Sequence, residues 1–278
     1  MTVGEVFAAA RAERRAALVG YLPAGFPSYD GCIEAVKVIA DAGVDLVEIG
    51  LPYSDPVLDG PTIQTAANIA LRGGVRTADV LRTVEAVAAA GVTAVVMTYW
   101  NPVLRYGVGR FARDLAAVGG AGLITPDLTP DVADEWLAAS DEHGLTRIFL
   151  VAPSSSDQRL AMTAAACRGF VYAASVMGVT GARERTSAAA PVLVGRVRAV
   201  TDLPVGVGLG VSSGAQAAEV ATYADGVIVG SALCRHLLDA PDVSSGLTAL
   251  RGLAADLAAG VRHAPQPVEG ALPPTALK

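Results

Sequence analysis

Eight short runs of apolar, largely β-branched residues recur along the chain: ALVGYL (17–22), VDLVEIG (44–50), TAVVMTYW (93–100), GLITPD (122–127), RIFLVAP (147–153), GFVYAAS (169–175), LPVGVGLG (203–210) and ADGVIVG (224–230). Between them lie Ala-rich amphipathic segments such as DGCIEAVKVIADAG, TADVLRTVEAVAAAG and GAQAAEVATYADG. Several end in glycine, the usual residue just past a helix C-terminus. Near-continuous apolar strands alternating with helices predict parallel strands buried on both faces. Eight such units count out to an α/β fold, a (β/α)8 TIM barrel, with a doubly wound open sheet as the rival. The opening MTVGEVFAAARAERRAA reads as an extra helix beneath the barrel. No linker divides residues 1–262, which are read as one barrel domain. Residues 263–278, HAPQPVEGALPPTALK, hold four of the 16 prolines and no apolar period, and are read as a flexible tail.

Composition narrows the class. Of 278 residues 52% are hydrophobic and 17% charged, with a mean hydropathy of +0.45. That is too apolar for disorder. The apolar runs are nevertheless shorter than the ~20 residues a membrane-spanning helix needs, and Asp, Arg, Thr or Gly interrupt them. The charged start lacks the apolar centre of a signal peptide. A net charge of −6 without a basic stripe argues against nucleic acid as a partner. Cys32, Cys167 and Cys234 are odd in number, widely spaced and without a CxxC, so the expectation is reduced thiols in a cytoplasmic protein with no metal site.

In this fold the chemistry sits at the C-terminal ends of the strands. Alternation in VDLVEIG puts Val44, Leu46 and Glu48 on one face, Asp45, Val47 and Ile49 on the other. A carboxylate pointing into the barrel is expensive unless paired or protonated, and desolvation raises its pKa toward neutrality. Glu48 thus reads either as an acid and base or as a structural carboxylate. The following loop, LPYSDPVLDGPTIQ, is stiffened by three prolines and offers Asp55 and Asp59. Asp59 either faces the barrel mouth or caps the helix starting near Pro61.

Phe170 and Tyr172 share a face of the sixth strand, so Tyr172 either faces the pocket or belongs to the core. The stretch after it, 176–190, carries Gly178 and Gly181 and reads as a lid. Glycines at 206, 208 and 210, ahead of a helix near Ser212, and Gly230-Ser231 ahead of another, follow the last two strands. That is where barrels of this kind bind phosphate, through backbone N–H groups and a helix N-terminus. His143, His236 and His263 are scattered away from strand ends, and no GxSxG or P-loop pattern occurs.

The string EIGLPYSDPVLDGPTIQ resembles the signature of the tryptophan synthase alpha chain family. So do YLPAGFPS, MTYWNPVLRYG, GLITPDL, FLVAPSSSDQRL, YAASVMGVTGARE, GVGLGVSS and VIVGSAL, in family order from about residue 15 to 237. The resemblance implies cleavage of indole-3-glycerol phosphate to indole and glyceraldehyde 3-phosphate. It also implies work beside a beta chain in an α2β2 heterotetramer. That beta chain carries the pyridoxal phosphate; no cofactor is expected here.

Carried over by position, Glu48 is the acid and base, and Asp59 stabilises charge on the indole nitrogen. Tyr21 and Tyr172 line the substrate pocket. Gly181, Gly210, Gly230 and Ser231 hold the phosphate, with Leu209 among the substrate-binding residues. Thr180 orders the lid, and Asp55 and Pro56 face the beta chain. The chain departs from the family pattern at Tyr21, where Phe is frequent, at Leu58, where Ala is usual, and at Val176, where some members carry Arg. Other readings are a standalone lyase releasing free indole, a non-catalytic partner of a beta chain, and an unrelated phosphate-binding barrel.

Overall fold

The computed structural model describes residues 1–174, 189–208 and 210–263. Eight parallel strands form a closed barrel in chain order: β1 Ala17–Pro23, β2 Leu46–Gly50, β3 Ala94–Met97, β4 Gly122–Thr125, β5 Thr146–Val151, β6 Val171–Ala174, β7 Val205–Gly208 and β8 Gly226–Val229. The last strand pairs with the first, Ala17 beside Gly226 and Gly20 beside Val229. That closure excludes the open sheet.

The helices are α1 Val3–Ala12, α2 Tyr29–Asp41, α3 Pro61–Arg72, α4 Thr77–Ala89, α5 Trp100–Tyr106 and α6 Val108–Ala117. They continue with α7 Asp134–Glu142, α8 Asp157–Ala166, α9 Ala189–Arg198, α10 Gly214–Ala221, α11 Ser231–Leu238 and α12 Val243–Arg262. None is long and apolar enough to cross a membrane among the described residues.

Period-2 alternation sorts each strand into two layers. Val19, Leu46, Val95, Ile124, Ile148, Phe170 and Ile228 fill the barrel. Their neighbours Leu18, Val47, Val96, Leu123, Phe149 and Val227 pack outward in the larger cluster that includes helix residues. Val44 departs from the face expected of it. The strand begins only at Leu46, and Val44 joins the outer layer.

Three interior glycines make room for aromatic rings. A Cβ at Gly206 would lie 3.0 Å from Phe170, one at Gly208 2.5 Å from the Tyr172 hydroxyl, and one at Gly226 2.8 Å from Phe7. Phe7, Phe170 and Tyr172 stack in that space, with centroids 5.0 and 6.3 Å apart. Gly206 and Gly208 are therefore small because of the barrel interior, not only because of a ligand.

Phe7 comes from α1, the expected extra helix, whose buried Val3, Val6, Phe7 and Ala10 pack with the interior layer. A capping box starts it: Thr2 Oγ1 accepts the Glu5 N–H, and the Thr2 N–H donates to the Glu5 carboxylate. Past its end, Arg15 pairs with both oxygens of Asp45 at 2.7 and 2.8 Å, and Asp45 also accepts the Leu18 N–H. This network ties α1 to the starts of β1 and β2.

Candidate active site

Glu48 sits near the C-terminal end of β2, between Tyr21 of β1 and Val95 of β3 in the sheet register. It is 1% exposed, and its Oε1 is buried with no hydrogen-bond partner among the described residues. Among the described residues no hydrogen bond to Oε1 offsets the cost of ionising it, and burial pushes its pKa up to about 8. Near neutral pH the carboxyl is mostly protonated. It can give a proton away and take one back, the property a single acid and base requires.

The loop over 51–60 brings in the second carboxylate. Gly60 is the N-cap residue of α3, with no side-chain capping bond, and Pro61 is its first residue. Asp59 is thus not the helix cap that local rules allow. Its Oδ1 accepts a 3.0 Å hydrogen bond from the Tyr99 hydroxyl. That same hydroxyl accepts the Leu58 N–H at 3.0 Å, and Gln64 Nε2 donates to the Asp59 carbonyl at 2.7 Å. Tyr53 adds a further tie, its ring 5.4 Å from that of Tyr99 and its hydroxyl accepting from Asn101. Burial raises the Asp59 pKa while the Tyr99 bond opposes the rise.

Tyr99 is the site residue that sequence reasoning passed over. The apolar run 93–100 read as strand throughout, but β3 stops at Met97 and Tyr99 is the N-cap residue of α5. Asp127, beyond β4, holds this turn by accepting the Trp100 N–H. The signal was a tyrosine at the C-terminal end of a strand, where this fold keeps its chemistry.

Tyr21 and Tyr172 close the group. Burial first, then the negative charges of Asp59 and Glu48, hold both phenols well above their ordinary pKa. The structure therefore gathers Tyr21, Glu48, Asp59 and Tyr172 within electrostatic reach at one mouth. Gly230 lies against Tyr21, since a Cβ there would be 3.3 Å from the Tyr21 Cβ. It is the N-cap residue of α11, with no side-chain capping bond, and the buried Ser231 opens the helix. By contrast Ser213 caps α10 with its own side chain, which begins two residues beyond the expected Ser212. An N-terminus without a side-chain cap is a place for an anion. Gly210 has a φ of +70°, a conformation that favours glycine.

Asp55 is exposed, its carboxylate accepting from the Ser54 hydroxyl, and Pro56 is half-buried next to Val57, which is 67% exposed. Val176, Thr180, Gly181, Leu209 and the tail from residue 264 lie outside the described residues. Cys32, Cys167 and Cys234 are free and buried. Among the described residues no cluster of three His, Cys, Asp or Glu could hold a metal ion.

A closed parallel barrel with a buried acid, a second carboxylate and a helix N-terminus free of side-chain capping at one mouth defines a (β/α)8 barrel enzyme. The chain belongs to the tryptophan synthase alpha chain family, whose profile matches residues 7–261. It is similar to the tryptophan synthase alpha chain of Salinispora arenicola, 69% identical over 260 residues that cover 94% of this chain and 97% of that one. The alpha chain of Mycobacterium tuberculosis strain H37Ra is 64% identical over 260 residues, 94% of each chain.

Among solved structures, tryptophan synthase of M. tuberculosis in space group F222 superposes with a TM-score of 0.89 at 63% identity, covering 94% of this chain and 98% of that one. The alpha subunit from Legionella pneumophila strain Paris gives 0.84 at 29% identity, covering 94% and 98%. The chain is thus a carbon–carbon lyase of tryptophan biosynthesis, the type of subunit that cleaves indole-3-glycerol phosphate.

Proposed function

We propose that Glu48 carries out both proton transfers of the cleavage and that Asp59 holds the indole nitrogen. The observation that carries this reading is a buried Glu48 whose Oε1 has no hydrogen-bond partner among the described residues, with Asp59 in electrostatic reach of the same two tyrosines. Indole leaves poorly from carbon until its C3 is protonated. Protonated Glu48 delivers that proton, and the ring nitrogen takes up the positive charge, which Asp59 stabilises through the N–H. The Glu48 carboxylate then removes the proton from the hydroxyl on the carbon attached to C3. Those electrons form the aldehyde, the C–C bond breaks, and its electron pair neutralises the ring as indole departs. One proton is given and one taken, so Glu48 ends as it began.

Substrate binding falls to the rest of the mouth. Tyr21 and Tyr172 flank the indole and glycerol portion. Gly210, Gly230 and Ser231 take the phosphate, together with Gly181, while Leu209 lines the pocket and Thr180 orders the lid. Asp55 and Pro56 meet a beta chain, supported by the exposed Val57 beside them, within an α2β2 complex. Pyridoxal phosphate belongs to that beta chain, and no step above uses it. Three free, buried thiols support a cytoplasmic location.

The test is indole formation from indole-3-glycerol phosphate, with and without a cognate beta chain, for the wild type, Glu48→Gln and Asp59→Asn. Glu48→Gln should lose about 10³-fold or more and Asp59→Asn about 10²-fold or more. Near-wild-type rates in either variant overturn its role. Full indole release without a beta chain would favour a standalone lyase.

A further inference from the structure

At the end of the barrel opposite the mouth, α1 leaves part of the floor open. A cavity of about 870 Å³ lies between α1 and the N-terminal ends of β1, β6, β7 and β8. Its wall gathers Arg11, Arg14, Arg15 and Arg198 around apolar surface from Ala8, Ala12, Leu203 and Pro204, with Asp225 as the sole carboxylate among the described lining residues. The chain as a whole carries 27 acidic and 21 basic residues, so this concentration of guanidinium groups runs against its overall charge.

The four arginines are not equivalent. Arg15 is structural, with a 6% exposed side chain held by both oxygens of Asp45 and by Glu13. Arg11 and Arg198 come from different helices and share one carboxylate, at 3.5 and 3.2 Å from Asp225. That carboxylate also accepts the Val205 N–H at 2.9 Å. One negative charge therefore serves two guanidiniums whose side chains remain 68% and 43% exposed.

Arg14 lines the same wall in an unusual backbone. Its φ is +56°, the single positive φ on a non-glycine residue among those described. It follows the α1 C-cap in a Schellman turn, its N–H donating to the Arg11 carbonyl and the Arg15 N–H to the Ala10 carbonyl. Glycine is the relaxed choice at that position, and strained non-glycine residues concentrate at binding and catalytic sites.

We infer that this cavity binds a small organic anion with an apolar body. Guanidinium forks pair with carboxylate or phosphate oxygens two at a time, and the arginines stay charged at any physiological pH. The volume falls within the range of small-molecule pockets. The site is separate from the catalytic mouth, because the stacked rings of Phe7, Phe170 and Tyr172 lie between them.

The experiment is calorimetric titration of the full chain with 3-phenylpropionate, compared with uncharged 3-phenylpropanol and with inorganic phosphate. The acid should bind saturably, one per chain and at least tenfold tighter than either comparison compound. Arg11→Gln and Arg14→Gly should each weaken it fivefold or more. Arg14→Gly should do so without lowering Tm, since glycine accepts the backbone that arginine strains. Absence of saturable binding, equal affinity for the alcohol, or unchanged affinity in both variants would overturn the site. Phosphate binding as tightly as the acid would overturn recognition of an apolar body.

Discussion

The Tyr99 hydroxyl bridges the backbone and side chain of one short loop: it accepts the Leu58 N–H and donates to Asp59 Oδ1, both at 3.0 Å. The bond fixes the rotamer of a carboxylate that no helix end holds. Tyr99 is therefore a positioning residue for Asp59.

Tyr99→Phe keeps the ring packing and removes the bond. Cleavage should slow about tenfold, the equivalent of about 1.4 kcal/mol in the barrier. The Asp59 pKa should also rise, because the Tyr99 bond holds it down against burial. The acid limb of kcat/KM against pH should move to higher pH. An unmoved limb would reduce Tyr99 to a packing role.

Glu48 makes stability depend on pH. Its pKa rises from an ordinary 4.5 to about 8 in the folded chain, so the native state keeps a proton that the unfolded state releases. Stability from this group is complete below about 4.5 and is lost as pH climbs through about 8. The full loss is on the order of 5 kcal/mol. Urea midpoints measured from pH 4 to 9 should fall across this window in the wild type. Glu48→Gln, which cannot ionise, should lack that decline while losing the cleavage activity.

Ser231→Asp tests anion binding at this helix end. A carboxylate in the first turn of α11 suits the helix dipole, but Ser231 is buried, so desolvation of the new charge should lower Tm by a few degrees. The same charge repels a phosphate at that N-terminus, and KM should rise tenfold or more with a smaller change in kcat. An unchanged KM would place the phosphate elsewhere.

Much of this was legible along the chain because it rests on local periodicity. Alternation from Leu46 put Glu48 inside the barrel, and the count of apolar runs matched the strands. Where a run overshot, a long-range contact ended it. Asp127 pulls Trp100 into the start of α5, so Thr98 and Tyr99 leave the strand. Arg15 and the Leu18 N–H hold Asp45, so Val44 stays outside β2.

The sequence by itself determined the barrel, the inward face of Glu48 and the stiff loop carrying Asp59. Those follow from spacing, turn chemistry and burial preference, which act between near neighbours. Only the tertiary structure decided that Asp59 answers to Tyr99, 40 residues away, and that Gly206 and Gly208 yield space to Phe170 and Tyr172. It alone also left Glu48 Oε1 without a partner among the described residues and drew arginines from α1 and α9 together beneath the floor. Desolvation and hydrogen bonding depend on what distant segments bring to a point in space, and a linear pattern does not contain that.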